Sequence, residues 1–176
     1  MIKSIHHTAI SVRDMKRSLH FYRDILGMTV EWDLDPYPSN LELSNVVALK
    51  NLQVRVAMLS GFGHRIELFQ YYKPKGKPYP RNFRLCDCGI THIALEVTDI
   101  ERHYRNLVRK GVRFNCLPQL VRNAAKVTYF HDPDGITLEL IEYLKPQERV
   151  TEKGSKSKPL VLYGKNTEIK NKGGLK

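Results

Sequence analysis

No apolar run in this 176-residue chain approaches the roughly 18 residues needed to cross a bilayer, so the sequence offers no membrane-spanning helix. Residues 1–11 lack the charged start and long apolar stretch of a secretory signal, and a cytoplasmic location is expected. Cysteine is scarce. Cys86, Cys88 and Cys116 are an odd number without disulfide-framework spacing, which fits a reducing compartment, and the isolated Cys86-x-Cys88 pair reads as ordinary thiols. Acidic residues are the minority, 18 against 29 Lys and Arg, for a net charge of +11. That excess is concentrated at the end: from Lys145 to Lys176 nine Lys and Arg face three Glu. The same segment has little stacking aromatic content beyond Tyr163, so a solvated basic tail is expected and a nucleic-acid partner is not.

What the chain does contain is a hidden duplication. His7, within His-Thr-Ala-Ile-Ser-Val-Arg-Asp, superposes on His92, within His-Ile-Ala-Leu-Glu-Val-Thr-Asp, at an offset of 85. The same offset pairs Ala9 with Ala94, Val12 with Val97, Asp14 with Asp99 and Arg17 with Arg102. Later in each half, Gly63, Glu67, Leu68 and Tyr71 align with Gly135, Glu139, Leu140 and Tyr143 at an offset of 72. One module used twice, with about a dozen extra residues in the first copy between positions 32 and 53, accounts for both offsets. The expected organisation is a first module at 1–71, a linker or lid at 72–88, a second module at 89–144 and a basic tail at 145–176. The 41% hydrophobic content is enough to bury a core for such a pair.

Each half opens as a strand followed by a helix. Residues 5–12 alternate; Asp14 then stands at an N-cap position before a helix through Met15, Leu19, Phe21, Tyr22, Ile25 and Leu26, and Gly27 stops the helix. Residues 91–97, Asp99, Ile100, Tyr104, Leu107, Val108 and Gly111 repeat that order. Strand-like runs follow at 28–32, 46–49, 54–59 and 65–71, then at 112–115, 126–130 and 137–143, giving βαβββ twice with the run at 46–49 inside the extra residues of the first copy. The Pro- and Gly-rich stretch within 72–87 argues for an irregular crossing, and residues 160–163 could add a short strand.

Side-chain alternation puts His7 on one strand face with Ala9 and Ser11, with His6 pointing away, and puts Glu67 with Phe69 and Tyr71. If the first and last strands of each module are neighbours, a His and a Glu share a cavity, and two modules supply His7, Glu67, His92 and Glu139. Imidazole and carboxylate together suit Ni, Zn, Co, Mn or Fe(II), with positions left open for water or substrate. His20, His64, His103 and His131 lack repeat partners and read as surface or helix residues, His131 alone being a candidate to line the cavity.

At these positions the sequence resembles the vicinal oxygen chelate superfamily, which includes glyoxalase I, methylmalonyl-CoA epimerase, extradiol dioxygenases and the fosfomycin and bleomycin resistance proteins. The stretches that carry the resemblance are Ile-His-His-Thr-Ala-Ile-Ser-Val-Arg-Asp, Ser-Leu-His-Phe-Tyr-Arg-Asp-Ile-Leu-Gly-Met, Arg-Ile-Glu-Leu-Phe, Gly-Ile-Thr-His-Ile-Ala-Leu-Glu-Val-Thr-Asp-Ile and Asp-Pro-Asp-Gly-Ile-Thr-Leu-Glu-Leu-Ile-Glu. It implies an α+β fold of two βαβββ modules forming a curled mixed sheet around a divalent ion, often in a homodimer acting on a small molecule. It also implies a lyase or isomerase of glyoxalase or epimerase type, working through a metal-stabilised enediolate, with Glu139 or Glu67 as the proton-transferring base. Tyr129 and Phe69 are candidate cavity-lining residues. The alternative is an Fe(II)-dependent extradiol dioxygenase using His7, His92 and Glu139; the His expected before Tyr129 is absent, with Leu120, Val121 and Arg122 in its place. A non-catalytic resistance protein is a third possibility, disfavoured by the intact quartet.

Overall fold

The structure, a computed structural model, describes residues 1–37, 41–80 and 82–145. The tail expected beyond Lys145 and the strand expected at 160–163 lie outside the described residues. The first module is β1 (Thr8–Ser11), α1 (Met15–Leu19), β2 (Thr29–Leu34), α2 (Leu41–Val47), β3 (Gln53–Gly61) and β4 (His64–Lys73). The second is β5 (Ile93–Glu96), α3 (Ile100–Arg109), β6 (Gln119–Val121), β7 (Ala125–His131) and β8 (Thr137–Tyr143). Each forms a four-stranded sheet, in the orders β1-β4-β3-β2 and β5-β8-β7-β6. The first strand runs parallel to the last in both, and the other pairings are antiparallel.

The two helices begin where their caps stand. Asp14 accepts a hydrogen bond from Arg17 N at 3.0 Å and Asp99 accepts one from Arg102 N at 3.1 Å, each meeting an amide that the first helical turn leaves unpaired. Beyond α1 the helix widens into a π-helical stretch over His20–Ile25 before Gly27 ends it at φ +90°, a conformation that suits glycine.

Three elements differ from expectation. Residues 46–49 form no strand: α2 occupies Leu41–Val47, with Leu43 and Val47 one turn apart against Leu52, Val54 and Val56. The apolar residues there follow a helical rather than an alternating period, and their partners lie on the sheet face beneath. Residues 112–115 make only an isolated bridge, Phe114 to Phe130, while the edge strand forms later, at β6, where all three side chains are exposed. Pro118, between the bridge and β6, has no N–H to continue a ladder. Finally, β1 and β5 are short, starting just after His7 and His92 rather than at positions 5 and 91.

One core joins the two modules. Phe21 of the first module packs near Phe130 of the second at a ring-centroid distance of 6.4 Å, and Tyr22, Met15, Leu59, Leu68, Ile100 and Leu138 are fully buried around them. Tyr22 also donates its hydroxyl hydrogen to Asp132 Oδ2 at 3.0 Å, and Asp132 Oδ1 accepts from the backbone N–H groups of Asp134 and Ile136, both at 2.8 Å. Burial pushes the Asp132 carboxyl above its usual range and the Tyr22 phenol further up, so this is a fully bonded but desolvated polar link between modules. Replacing Tyr22 by Phe leaves a buried carboxylate oxygen short of its donor. Urea denaturation is expected to show a loss of about 1–3 kcal/mol; an unchanged midpoint would show that the bond contributes nothing across the module boundary.

Candidate metal centre

The parallel pairing of β1 with β4 sets Ala9 opposite Glu67, and that of β5 with β8 sets Ala94 opposite Glu139. Each His stands two residues before its Ala, at the start of the strand, so it meets the Glu of the neighbouring strand. His7 Nε2 lies 3.1 Å from Glu67 Oε2, and His92 Nε2 lies 3.1 Å from Glu139 Oε2. Two equal His–Glu pairs therefore exist, one per module. Among the described residues no group of three or more His, Cys, Asp or Glu is placed to hold a metal, so the two pairs are separate within one chain, a point that the sequence leaves open.

The pairs are not equally solvated. The Glu67 side chain is 16% exposed and that of Glu139 10%, while the two imidazoles keep about a third of their surface. Burial raises the Glu139 carboxyl above the ordinary glutamate value, although the neighbouring His92 draws it down. Tyr129 lies directly across from Glu139 on β7, with its ring 5.1 Å from that of His92; burial and the Glu139 charge both raise its phenol. Tyr129 thus packs beside the second His–Glu pair. Phe69 stacks on Tyr71 at 5.8 Å, in the apolar cluster that also takes in Trp32 and α2, on the face that carries Glu67.

The Nδ1 sides of the imidazoles also have neighbours. Thr91 Oγ1 stands 2.9 Å from His92 Nδ1, and His6 Nδ1 stands 2.8 Å from His7 Nδ1. His6 therefore does not point away from His7: both precede β1, where strand alternation does not apply. If Nδ1–H of His92 donates to the Thr91 hydroxyl, Nε2 keeps its lone pair for a cation, the orientation that metal-ligating imidazoles commonly take. Two half-buried imidazole nitrogens, each beside a carboxylate oxygen, suit a borderline divalent ion. Thr91 was not read as functional from the sequence; its place immediately before a candidate ligand is the one available signal. Of the remaining histidines, His20 pairs with Asp24 at the surface and His64 meets Thr8 Oγ1 at 2.9 Å. His131 meets Asn115 Oδ1 at 2.8 Å and stands opposite Thr137, two residues along β8 from Glu139. Cys86, Cys88 and Cys116 are exposed free thiols. No helix among the described residues is long and apolar enough to cross a membrane.

Comparison with known proteins agrees with this architecture. The family model described as Glyoxalase/Bleomycin resistance protein/Dioxygenase superfamily matches residues 4–140. The chain is 30% identical over 146 residues to the uncharacterized protein YaeR of Escherichia coli, covering 80% of this chain and 97% of that one. It is 26% identical over 146 residues to the mitochondrial methylmalonyl-CoA epimerase of Dictyostelium discoideum, covering 80% and 79%. In fold it is similar to a glyoxalase family protein from Bacillus cereus, with a TM-score of 0.71 at 21% identity over 82% of this chain and 97% of that one.

The raised Glu139 carboxyl has a measurable consequence in metal-free protein. A carboxyl whose folded value exceeds its unfolded value stabilises the fold below the unfolded value, and that contribution is lost as pH rises through the folded value. Relative to Glu139→Gln, wild type is expected to lose stability in urea as pH rises above the ordinary glutamate range. Parallel pH profiles for the two proteins would contradict the burial effect.

Proposed function

The chain belongs to the Glyoxalase/Bleomycin resistance protein/Dioxygenase superfamily, and from that premise we propose that it is a divalent-metal-dependent enzyme that isomerises or epimerises a small oxygen-bearing substrate by proton transfer. The observation that carries this reading is the twofold His–Glu pairing, 3.1 Å in each module. Four such donors match the needs of one divalent ion. A divalent ion held by His7, Glu67, His92 and Glu139 would supply Lewis acidity to adjacent substrate oxygens, making a neighbouring C–H more acidic.

The protein's own residues supply the remainder. Glu139 is the first choice for the proton-transferring base, because its buried setting holds its carboxyl nearer to neutrality than an exposed glutamate. Glu67, in the more solvated pair, is the second choice. Tyr129 over His92 narrows the second half-site, and the Trp32, Phe69 and Tyr71 cluster gives the Glu67 face an apolar wall. The symmetry of the pairs favours this chemistry over extradiol oxygenation, which uses one carboxylate with two imidazoles and would leave Glu67 without a role.

Two features support a site completed between two copies of the chain. The His–Glu pairs sit on separate sheets, and β1 and β5, the strands that follow the two His, are both sheet edges. A homodimer joining the first-module pair of one copy to the second-module pair of the other brings two imidazoles and two carboxylates together and covers two edges that otherwise present unpaired backbone groups.

Substituting Ala for His7 or His92 is expected to reduce bound Ni, Zn, Co or Mn beyond the roughly 10- to 100-fold typical of losing a ligand's hydrogen-bonding partner. Solvent-deuterium exchange into a hydroxyketone or thioester should fall in parallel, read by elemental analysis and mass spectrometry. Full metal content in both variants would remove the quartet from the site, and iron with oxygen uptake on catechols would establish the dioxygenase instead.

A further inference from the structure

A second site stands apart from the His–Glu pairs. Two adjoining cavities of about 520 and about 640 Å3 open where the β1–α1 corner, the 73–80 crossing segment and the β7–β8 turn meet, and both are lined by Arg13, Arg17, Tyr79 and Asp134. Lys75 and Lys77 complete the cationic wall of the first, Arg113 that of the second. Five cations therefore surround a concave space whose walls carry two carboxylates, Asp14 and Asp134.

Both carboxylates are already engaged. Asp14 Oδ1 accepts from Arg17 N at 3.0 Å as the helix cap. Asp134, with its side chain 3% exposed, accepts from Arg13 N at 2.9 Å and pairs with the Arg17 guanidinium. The side-chain charges of Arg13, Lys75, Lys77 and Arg113 have no ion-pair partner among the described residues. These cations are exposed, but gathered around one concave space they repel one another and sum to a positive potential there, which a multivalent anion relieves better than a monovalent one. Arginine forks match phosphate oxygens in particular. Tyr79 and Phe83, with ring centroids 5.3 Å apart, form an aromatic face on the second cavity. Tyr79 also rests over Gly135, where a Cβ would lie 3.8 Å from its ring, so the crossing segment is seated on the β7–β8 turn.

We propose that this cleft binds a small molecule bearing a diphosphate or two neighbouring phosphates, held by Arg13, Lys75, Lys77 and Arg113. On the first-module side its wall, at Ser11 and Tyr71, is four residues along the strands from His7 and Glu67, roughly 13 Å at about 3.3 Å per residue, and on the second-module side Thr137 is two residues from Glu139; none of the four His and Glu residues lines the cleft, so occupancy does not require the metal pairs.

Calorimetric titration of the full chain with inorganic pyrophosphate tests the assignment. Saturable binding is expected, weakened about tenfold or more by Arg13→Ala and by Arg113→Ala, both surface changes, as charge-assisted contacts to phosphate are lost. Arg105→Ala removes the same charge from the exposed face of α3 outside the cleft and should leave affinity within about twofold. His7→Ala should bind as wild type does, which separates this site from the metal reading. Titration with ADP distinguishes a free diphosphate from one carried on an aromatic base: tighter binding that Phe83→Ala abolishes assigns the rings to the base, and equal affinity assigns the diphosphate alone. The proposal is overturned by absence of saturable pyrophosphate binding, by wild-type affinity in both arginine variants, or by an equal loss in Arg105→Ala. Tighter binding of oligothymidylate than of pyrophosphate would also overturn it, by showing a surface for polymeric nucleic acid.

Discussion

The parallel pairing of the first strand of each module with its last is the constraint on which the rest of the structure depends. Without it, His7 and Glu67 would be separated by 60 residues of chain and His92 and Glu139 by 47. With it, each His reaches the carboxylate of the neighbouring strand at 3.1 Å. Parallel neighbours need a long crossover, and the helix and two further strands of each βαβββ unit provide it. The same arrangement leaves β1 and β5 as sheet edges, so the architecture that makes each His–Glu pair also exposes the edge through which a second pair can approach.

The two modules are held to each other by a different kind of contact. Aromatic packing of Phe21 on the Phe130 side of the second sheet supplies the apolar area, and the buried Tyr22–Asp132 bond adds direction. A desolvated carboxylate is tolerated there because two backbone amides and a phenol satisfy it; Glu139 has a single His neighbour by comparison. That contrast in supporting bonds separates a structural carboxylate from one free to exchange partners.

Much of this was legible in the sequence because duplication makes chance unlikely to imitate it. The offsets of 85 and 72 located both His–Glu pairs and both capped helices, since a motif and its copy must satisfy the same geometry. The insertion that distinguishes the copies was legible in position but not in form: Leu43 and Val47 cover Val54 and Val56 as a helix, and a short apolar run does not distinguish helix from strand without its partners. The β6 edge was missed because its exposed residues carry no burial pattern. The separation of the two pairs was not legible either, because it is set by how the helices and the crossing segment dock the sheets. The cationic cleft was hidden for the same reason: Arg13, Lys75 and Arg113 belong to three segments that only the fold brings together.

The central claim is that the two His–Glu pairs converge on one ion, each pair from a different copy of the chain. Mixing His7→Ala protein with His92→Ala protein under conditions of subunit exchange tests it most directly, because a mixed dimer contains one site with both substitutions and one with none. Recovery of metal binding and proton exchange toward about a quarter of the wild-type level, since half of the dimers in an equal mixture are mixed and each carries one intact site of two, is the expected result, absent from either variant alone. Mixtures that remain as empty and inactive as their components, while subunit exchange is demonstrated, would contradict it.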